Sequence, residues 1–239
     1  PESLKATIAF AIASFATTGI NYITTPIFVR LLTQSEYGVV SIYNSVYAIV
    51  SVIATLTLSR PGVLTVGLYE HSENRWSYMS SMLGVVALSA FVVSVLTALG
   101  WSFLSSFINL PFSLMALILL TCCLQPAVTF WTTKNRYEHT YKVTFVVTVG
   151  SAVLAQIVSI LAVYLCKKHT NADLAVVRLW SAAVVNLSVA IVIYVYICFK
   201  GKRLINVPLW KKTLGFALPL IPHYLGFAFL TGTNRIMIG

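Results

Sequence analysis

The residues able to do chemistry in this chain are few and dispersed. Its six acidic residues, Glu2, Glu36, Glu70, Glu73, Glu138 and Asp173, all fall in loops or at the edges of apolar blocks. No carboxylate pair sits inside a block for general acid–base work. His71, His139, His169 and His223 are scattered without the spacing of a metal site. Cys122 and Cys123 are adjacent within a block, Cys166 and Cys198 lie near block ends, and none forms C-x-x-C. They read as small packing residues. A Gly-rich phosphate loop is also missing. The chain is therefore expected not to be an enzyme, and to need neither cofactor nor metal.

What stands out is polar content within apolar segments. Thr17, Thr18, Asn21, Thr24 and Thr25 precede Pro26 and Arg30, and their three- and four-residue spacings put them on one side of a helix. Two readings fit this face: hydrogen bonding between membrane helices, or the wall of a hydrated cavity. Pro26 is expected to loosen its helix locally, as in the broken helices that line transporter sites. Arg178 lies about one turn inside an apolar block. A charge there is costly unless it faces protein or water, although a long side chain can also snorkel to the interface. Pro219 and Pro222, three apart, favour a kink, and His223 follows directly. It reads as part of a gate or hinge, or as the donor to a carbonyl that the prolines free.

The elements that must carry these residues are membrane helices. The chain is 58% hydrophobic and only 9% charged, with a mean hydropathy of +0.87, against roughly a quarter charged in soluble domains. Blocks long enough for a bilayer core of about 30 Å run over 7–28, 39–58, 79–104, 112–131, 143–165 and 174–199, and a seventh starts near 214. Helices are expected because an open sheet leaves backbone groups unpaired in hydrocarbon, and the blocks lack the short alternating strands of a barrel. The fold class is thus all-α integral membrane, with about seven transmembrane helices. The start at Pro1 and the stop at Gly239 inside an apolar stretch suggest part of a longer protein.

Lys and Arg set the orientation. With the N-terminus in the cytoplasm, the inner segments hold Lys5, Arg60, Arg75, Lys134, Arg136, Lys142, Lys200, Lys202, Arg203, Lys211 and Lys212, eleven in all, against Arg30, Lys167 and Lys168 outside. That bias places the N-terminus inside. The net charge of +10 then reflects topology and attraction to anionic headgroups of the lipid bilayer. Nucleic acid is not expected as a partner, because the charges are divided among loops rather than gathered on one face.

Two stretches carry a resemblance. Thr25-Pro26-Ile27-Phe28-Val29-Arg30-Leu31-Leu32-Thr33-Gln34-Ser35-Glu36-Tyr37-Gly38 resembles the first-helix signature of Wzx-type polysaccharide flippases, in the superfamily that includes the multidrug and toxin extrusion proteins. Phe216-Ala217-Leu218-Pro219-Leu220-Ile221-Pro222-His223, with Thr233-Asn234-Arg235-Ile236-Met237-Ile238, is similar to that family's seventh helix. Asn234 stands where the family commonly has Asp, which removes an acidic partner for Arg235.

The resemblance implies twelve or more helices in two six-helix lobes. Residues 1–200 would form the N-terminal lobe, 201–212 a basic cytoplasmic linker and 213–239 the first helix of a truncated second lobe. It also implies a substrate, an oligosaccharide on polyprenyl pyrophosphate, flipped to the outer leaflet of the bacterial cytoplasmic (inner) membrane. Polymerase and chain-length proteins of the same pathway are implied as partners. Desolvating such a headgroup is prohibitive in hydrocarbon, so a cationic cavity is needed. Arg30, Arg60, Arg178 and Arg235 are the expected phosphate ligands, Asn21, Thr17, Thr24 and Thr25 the expected sugar contacts, and Pro26, Pro219, Pro222 and His223 the expected gate. The alternatives are a multidrug exporter of the same superfamily and a membrane-embedded glycan polymerase or acyltransferase.

Overall fold

The computed structural model describes residues 2–169 and 173–238, with side chains described for 7–169 and 173–230. It is helical throughout, with no strand among the described residues. The helices are α1 (Glu2–Leu31), α2 (Gln34–Thr55), α3 (Pro61–Glu70), α4 (Arg75–Leu99), α5 (Trp101–Phe107), α6 (Phe112–Tyr137), α7 (Tyr141–His169), α8 (Leu174–Gly201), α9 (Val207–Ala217) and α10 (Ile221–Ile238). A 3-10 turn, Leu218–Leu220, joins the last two.

Seven segments are long and apolar enough to cross a membrane: Thr7–Leu31, Gln34–Thr55, Arg75–Leu99, Phe112–Tyr137, Tyr141–His169, Leu174–Gly201 and Val207–Leu230. Many of their large apolar side chains face outward, Phe15 at 78% and Phe199 at 77% exposure among them. Such a surface suits lipid and not water. The chain is a multi-pass integral membrane protein.

Where the helices stop has local causes. The second apolar block was expected to run to residue 58, but α2 ends at Thr55 because Leu56 and Thr57 take φ of 50° and 59°, a left-handed pair that no helix continues through. The chain then reaches Arg60, extended at φ −74° and ψ 129°, as a residue before proline must be. Pro61 opens α3, a helix within a segment that reads in sequence as a loop. The third block breaks at Gly100, leaving α5 as a short separate helix. Pro26, by contrast, does not interrupt α1. Within 201–212, α9 begins at Val207, next to an Asn206 whose side chain accepts from the Leu209 amide.

The chain forms two compact units. Unit 1 comprises Pro1–Val40 and Thr132–Val189, and unit 2 comprises Ser41–Trp131 and Ala190–Gly239. In unit 1, α1 packs along α7, and Phe28, Leu32, Val163 and Leu174 form a buried cluster. Thr33 and Glu36 make a capping box: the Glu36 carboxylate accepts from the Thr33 amide (2.7 Å) and hydroxyl (2.9 Å), and the Glu36 amide donates to Thr33 Oγ1 (3.3 Å). The second Glu36 oxygen accepts from the Leu174 amide at 3.2 Å, tying the start of α8 to the start of α2.

In unit 2, the segment from residue 204 through α9 docks on α3 and α4. The Trp210 indole donates to the Ser81 hydroxyl at 2.9 Å. Gly84 lets the Leu204 carbonyl come so close that a Cβ there would lie 2.2 Å from the oxygen. Outside the apolar core, Lys212 donates to the Glu70 carboxylate at 2.9 Å, which holds that exposed carboxyl below its ordinary range.

Candidate functional site

Arg178 occupies the second turn of α8 in unit 1. Its guanidinium carbon lies 3.9 Å from the centroid of the Phe28 ring and 5.8 Å from that of Tyr37. Phe28 is held rigidly in the buried cluster at 1% exposure, so the cation is stacked rather than extended to the interface. One terminal nitrogen, Nη1, is buried with no hydrogen-bond partner. Stacking on a ring supplies about 0.5–2 kcal/mol and no hydrogen bond, so donor capacity is left over.

The acids nearby are spent elsewhere. Asp173 caps α8, its Oδ1 accepting from the Ala175 amide at 3.0 Å and the Val176 amide at 3.4 Å. Glu36 serves the capping box and the Leu174 amide. The Lys167 ammonium donates to the Leu31 carbonyl at 2.7 Å, closing the end of α1. Among the described residues no carboxylate pairs with Arg178.

The other expected arginines have different settings. Arg30 is exposed in the last turn of α1, where a cation suits the helix dipole. Arg60 belongs to unit 2, half-buried, with its guanidinium 4.8 Å from the Tyr224 ring centroid. The side chain of Arg235 lies outside the described residues.

Thr17, Thr24 and Thr25 bond to their own helix. Thr17 Oγ1 lies 3.0 Å from both the Ala13 and Ser14 carbonyls, and Thr24 and Thr25 donate to the Asn21 carbonyl at 3.2 and 2.7 Å. The bond between helices is made by Asn21 instead, whose Oδ1 accepts from Gln156 Nε2 of α7 at 2.9 Å. Sequence reading did not single out Gln156. The signal was present, since residues 156, 159 and 163 share the α7 face that also buries Ser159 and Val163.

Pro219 lies in the 3-10 turn and Pro222 in the first turn of α10. The Ile221 amide turns to the Leu218 carbonyl there instead of the Ala217 carbonyl four residues back. His223 does not compensate: it is exposed and packs edge-on against Tyr224, 5.4 Å between centroids. Thr57 takes that place, donating its hydroxyl to the Ala217 carbonyl at 3.1 Å.

No curated protein and no solved structure gives a significant match to the chain. A family model described as polysaccharide biosynthesis protein matches residues 3–239. That match covers nearly the whole length, and the chain belongs to the polysaccharide biosynthesis protein family.

Proposed function

We propose that the protein is a flippase and not an enzyme. Its substrate is an oligosaccharide repeat unit linked to polyprenyl pyrophosphate, carried from the cytoplasmic to the outer leaflet for surface polysaccharide synthesis. The observation that carries this reading is Arg178, a stacked guanidinium with an unused buried nitrogen and no carboxylate partner among the described residues. A planar cation with spare donors matches phosphate oxygens, which it can hold in pairs. Family membership supports a role in polysaccharide biosynthesis or export.

In this mechanism some of the arginines Arg30, Arg60, Arg178 and Arg235 hold the pyrophosphate while the lipid tail stays in the bilayer. Asn21, Thr17, Thr24 and Thr25 meet sugar hydroxyls. Residues 1–200 are the N-terminal lobe, 201–212 its basic connection and 213–239 the opening of a second lobe, and the lobes alternate access about Pro26, Pro219, Pro222 and His223. The protein resides in the bacterial cytoplasmic membrane with its N-terminus inside, alongside the polymerase and chain-length proteins of the pathway.

The test is sidedness. Depleting the protein in its host should trap intact lipid-linked oligosaccharide on the cytoplasmic leaflet and abolish surface glycan, with Arg178→Gln failing to restore it at normal expression. Normal sidedness with unpolymerised glycan would replace this reading with an enzyme, and unchanged glycan with altered drug sensitivity with an exporter.

A further inference from the structure

Away from Arg178, near the opposite end of α1, unit 1 holds a small, partly open cavity of about 80 Å³, with Ser14 and Arg136 at its exposed rim. A water needs about 10–15 Å³ of such space, so the cavity has room for several waters or one tetrahedral oxyanion. Three helices line it, each with a pair of residues one turn apart: Phe10 and Ser14 on α1, Thr132 and Arg136 on α6, Thr144 and Thr148 on α7. That repeated spacing turns polar side chains from three elements toward a single point.

The chemistry of the wall is specific. The Arg136 guanidinium lies 5.2 Å from the Phe10 ring centroid and pairs with no carboxylate among the described residues. The acid closest in sequence, Glu138, is bound by Lys134. Lys142, exposed in the first turn of α7, does not line the cavity. Two of the hydroxyls have already used their protons. Ser14 Oγ donates to the Phe10 carbonyl at 3.0 Å. Thr144 Oγ1 donates to the Thr140 carbonyl at 3.1 Å and accepts from the buried Asn135 amide at 2.8 Å. A hydroxyl has one proton and two lone pairs, so these oxygens meet a ligand as acceptors. The cavity thus pairs a cationic donor with neutral acceptors. The other cavity of note, in unit 2, is lined by residues such as Ala87, Ala90, Phe91 and Leu120 and has no cation.

A group that satisfies both halves of this wall is a phosphate that carries or adjoins a hydroxyl. We propose that the cavity around Arg136 is a binding site for such a phosphate, separate from the arginines of the transport reading and independent of that reading. Its anionic oxygens face Arg136, and its O–H donates to the hydroxyl oxygens. Two sources share this chemistry: inorganic phosphate, which is partly protonated at neutral pH, and the headgroup of phosphatidylglycerol.

The experiment is a binding measurement on the purified protein in phosphatidylcholine nanodiscs, so it does not depend on transport. Thermal unfolding is followed with inorganic phosphate or sulfate at matched ionic strength, and again in discs containing phosphatidylglycerol, with retained lipid counted by native mass spectrometry. Phosphate is expected to raise the unfolding midpoint where sulfate, lacking the proton, does not. A shift seen only with phosphatidylglycerol assigns the site to the lipid. Arg136→Gln should abolish the effect, and Lys142→Gln should preserve it. Thr148→Val, which leaves every charge in place, should weaken binding about fivefold, the worth of one hydrogen bond, and it decides the matter should Arg136→Gln fail to fold. The proposal is overturned by no shift with either ligand, by sulfate acting as well as phosphate, or by Lys142→Gln matching Arg136→Gln.

Discussion

Thr57, the second of two left-handed residues closing α2, donates its hydroxyl to the carbonyl of Ala217 at 3.1 Å, across 160 residues of chain. The side chain is fully buried. The carbonyl is the one the helix leaves open where α9 becomes a 3-10 turn. A strained turn and a broken helix therefore settle each other's backbone.

Thr57→Val keeps the β-branched shape and the strained φ but removes the donor. It should cost about 1–3 kcal/mol, the penalty for leaving a buried acceptor unmet. Thr57→Ser, which keeps the hydroxyl, should stay near the wild type. Thermal unfolding in detergent separates the two, and equal midpoints would show that the bond contributes nothing.

The Gly84 contact allows a contrast within one residue type. Gly84→Ala drives a Cβ to 2.2 Å from the Leu204 backbone oxygen, so the segment leading into α9 must lift from α4 and the midpoint should fall clearly. Gly150→Ala, in α7 with nothing within 4 Å, should be neutral or stabilising by about 0.5–1 kcal/mol from helix propensity. Reversal of this order would mean that the docking of Leu204 on α4 is not what stabilises unit 2.

For Arg178, the position given by Phe28 matters as much as the charge. Phe28→Leu keeps the site apolar and should cost little stability, about 1–2 kcal/mol, yet it removes the ring beneath the guanidinium. Surface glycan should drop several-fold at equal protein level, because a stack worth about 0.5–2 kcal/mol holds the cation in place. Arg178→Lys should not restore it, since an ammonium lacks the planar fork. Full activity in both variants would separate Arg178 from transport.

The Glu70–Lys212 pair predicts a pH effect of defined sign. The Lys212 hydrogen bond lowers the Glu70 carboxyl from its ordinary 4.5. Its contribution is therefore complete above that value and fades as pH falls through the lowered one. Wild type and Glu70→Gln should differ slightly near neutral pH, converge in acid, and converge again in high salt, because the pair is exposed. A difference that grows in acid would contradict the assignment. Unfolding midpoints across a pH series give the answer.

The seven membrane segments were legible because a bilayer imposes a length, and blocks such as 143–165, with no charge, and 174–199, with Arg178 as its one charge, meet it. Their ends were less so. Nothing in Leu56-Thr57 announces positive φ, since neither is a residue that favours it, and so α3 read as a loop. The cost of Arg178 was visible from its depth in the sixth block, but Phe28 and Tyr37 beneath it come from distant segments that only packing brings near. Thr17, Thr24 and Thr25 of α1 shared a face as expected, and their hydroxyls chose the nearest carbonyls, because a local bond needs no second helix. His223 stood beside two prolines and invited a role that Thr57, 160 residues before the Ala217 carbonyl, fills.

The close fit at Gly84 also limits what recombination can do with this sequence. Leu204 meets α4 through bare backbone, and Trp210 reads the Ser81 hydroxyl and carbonyl beside it. Both halves of that joint are written in separate stretches of the gene. A chimera that takes the part beyond residue 200 from a relative inherits one half only, unless the relative also keeps a glycine and a small hydroxyl residue at the matching places on its third span. Exchange at this boundary is expected to yield stable hybrids only between donors that match at both positions.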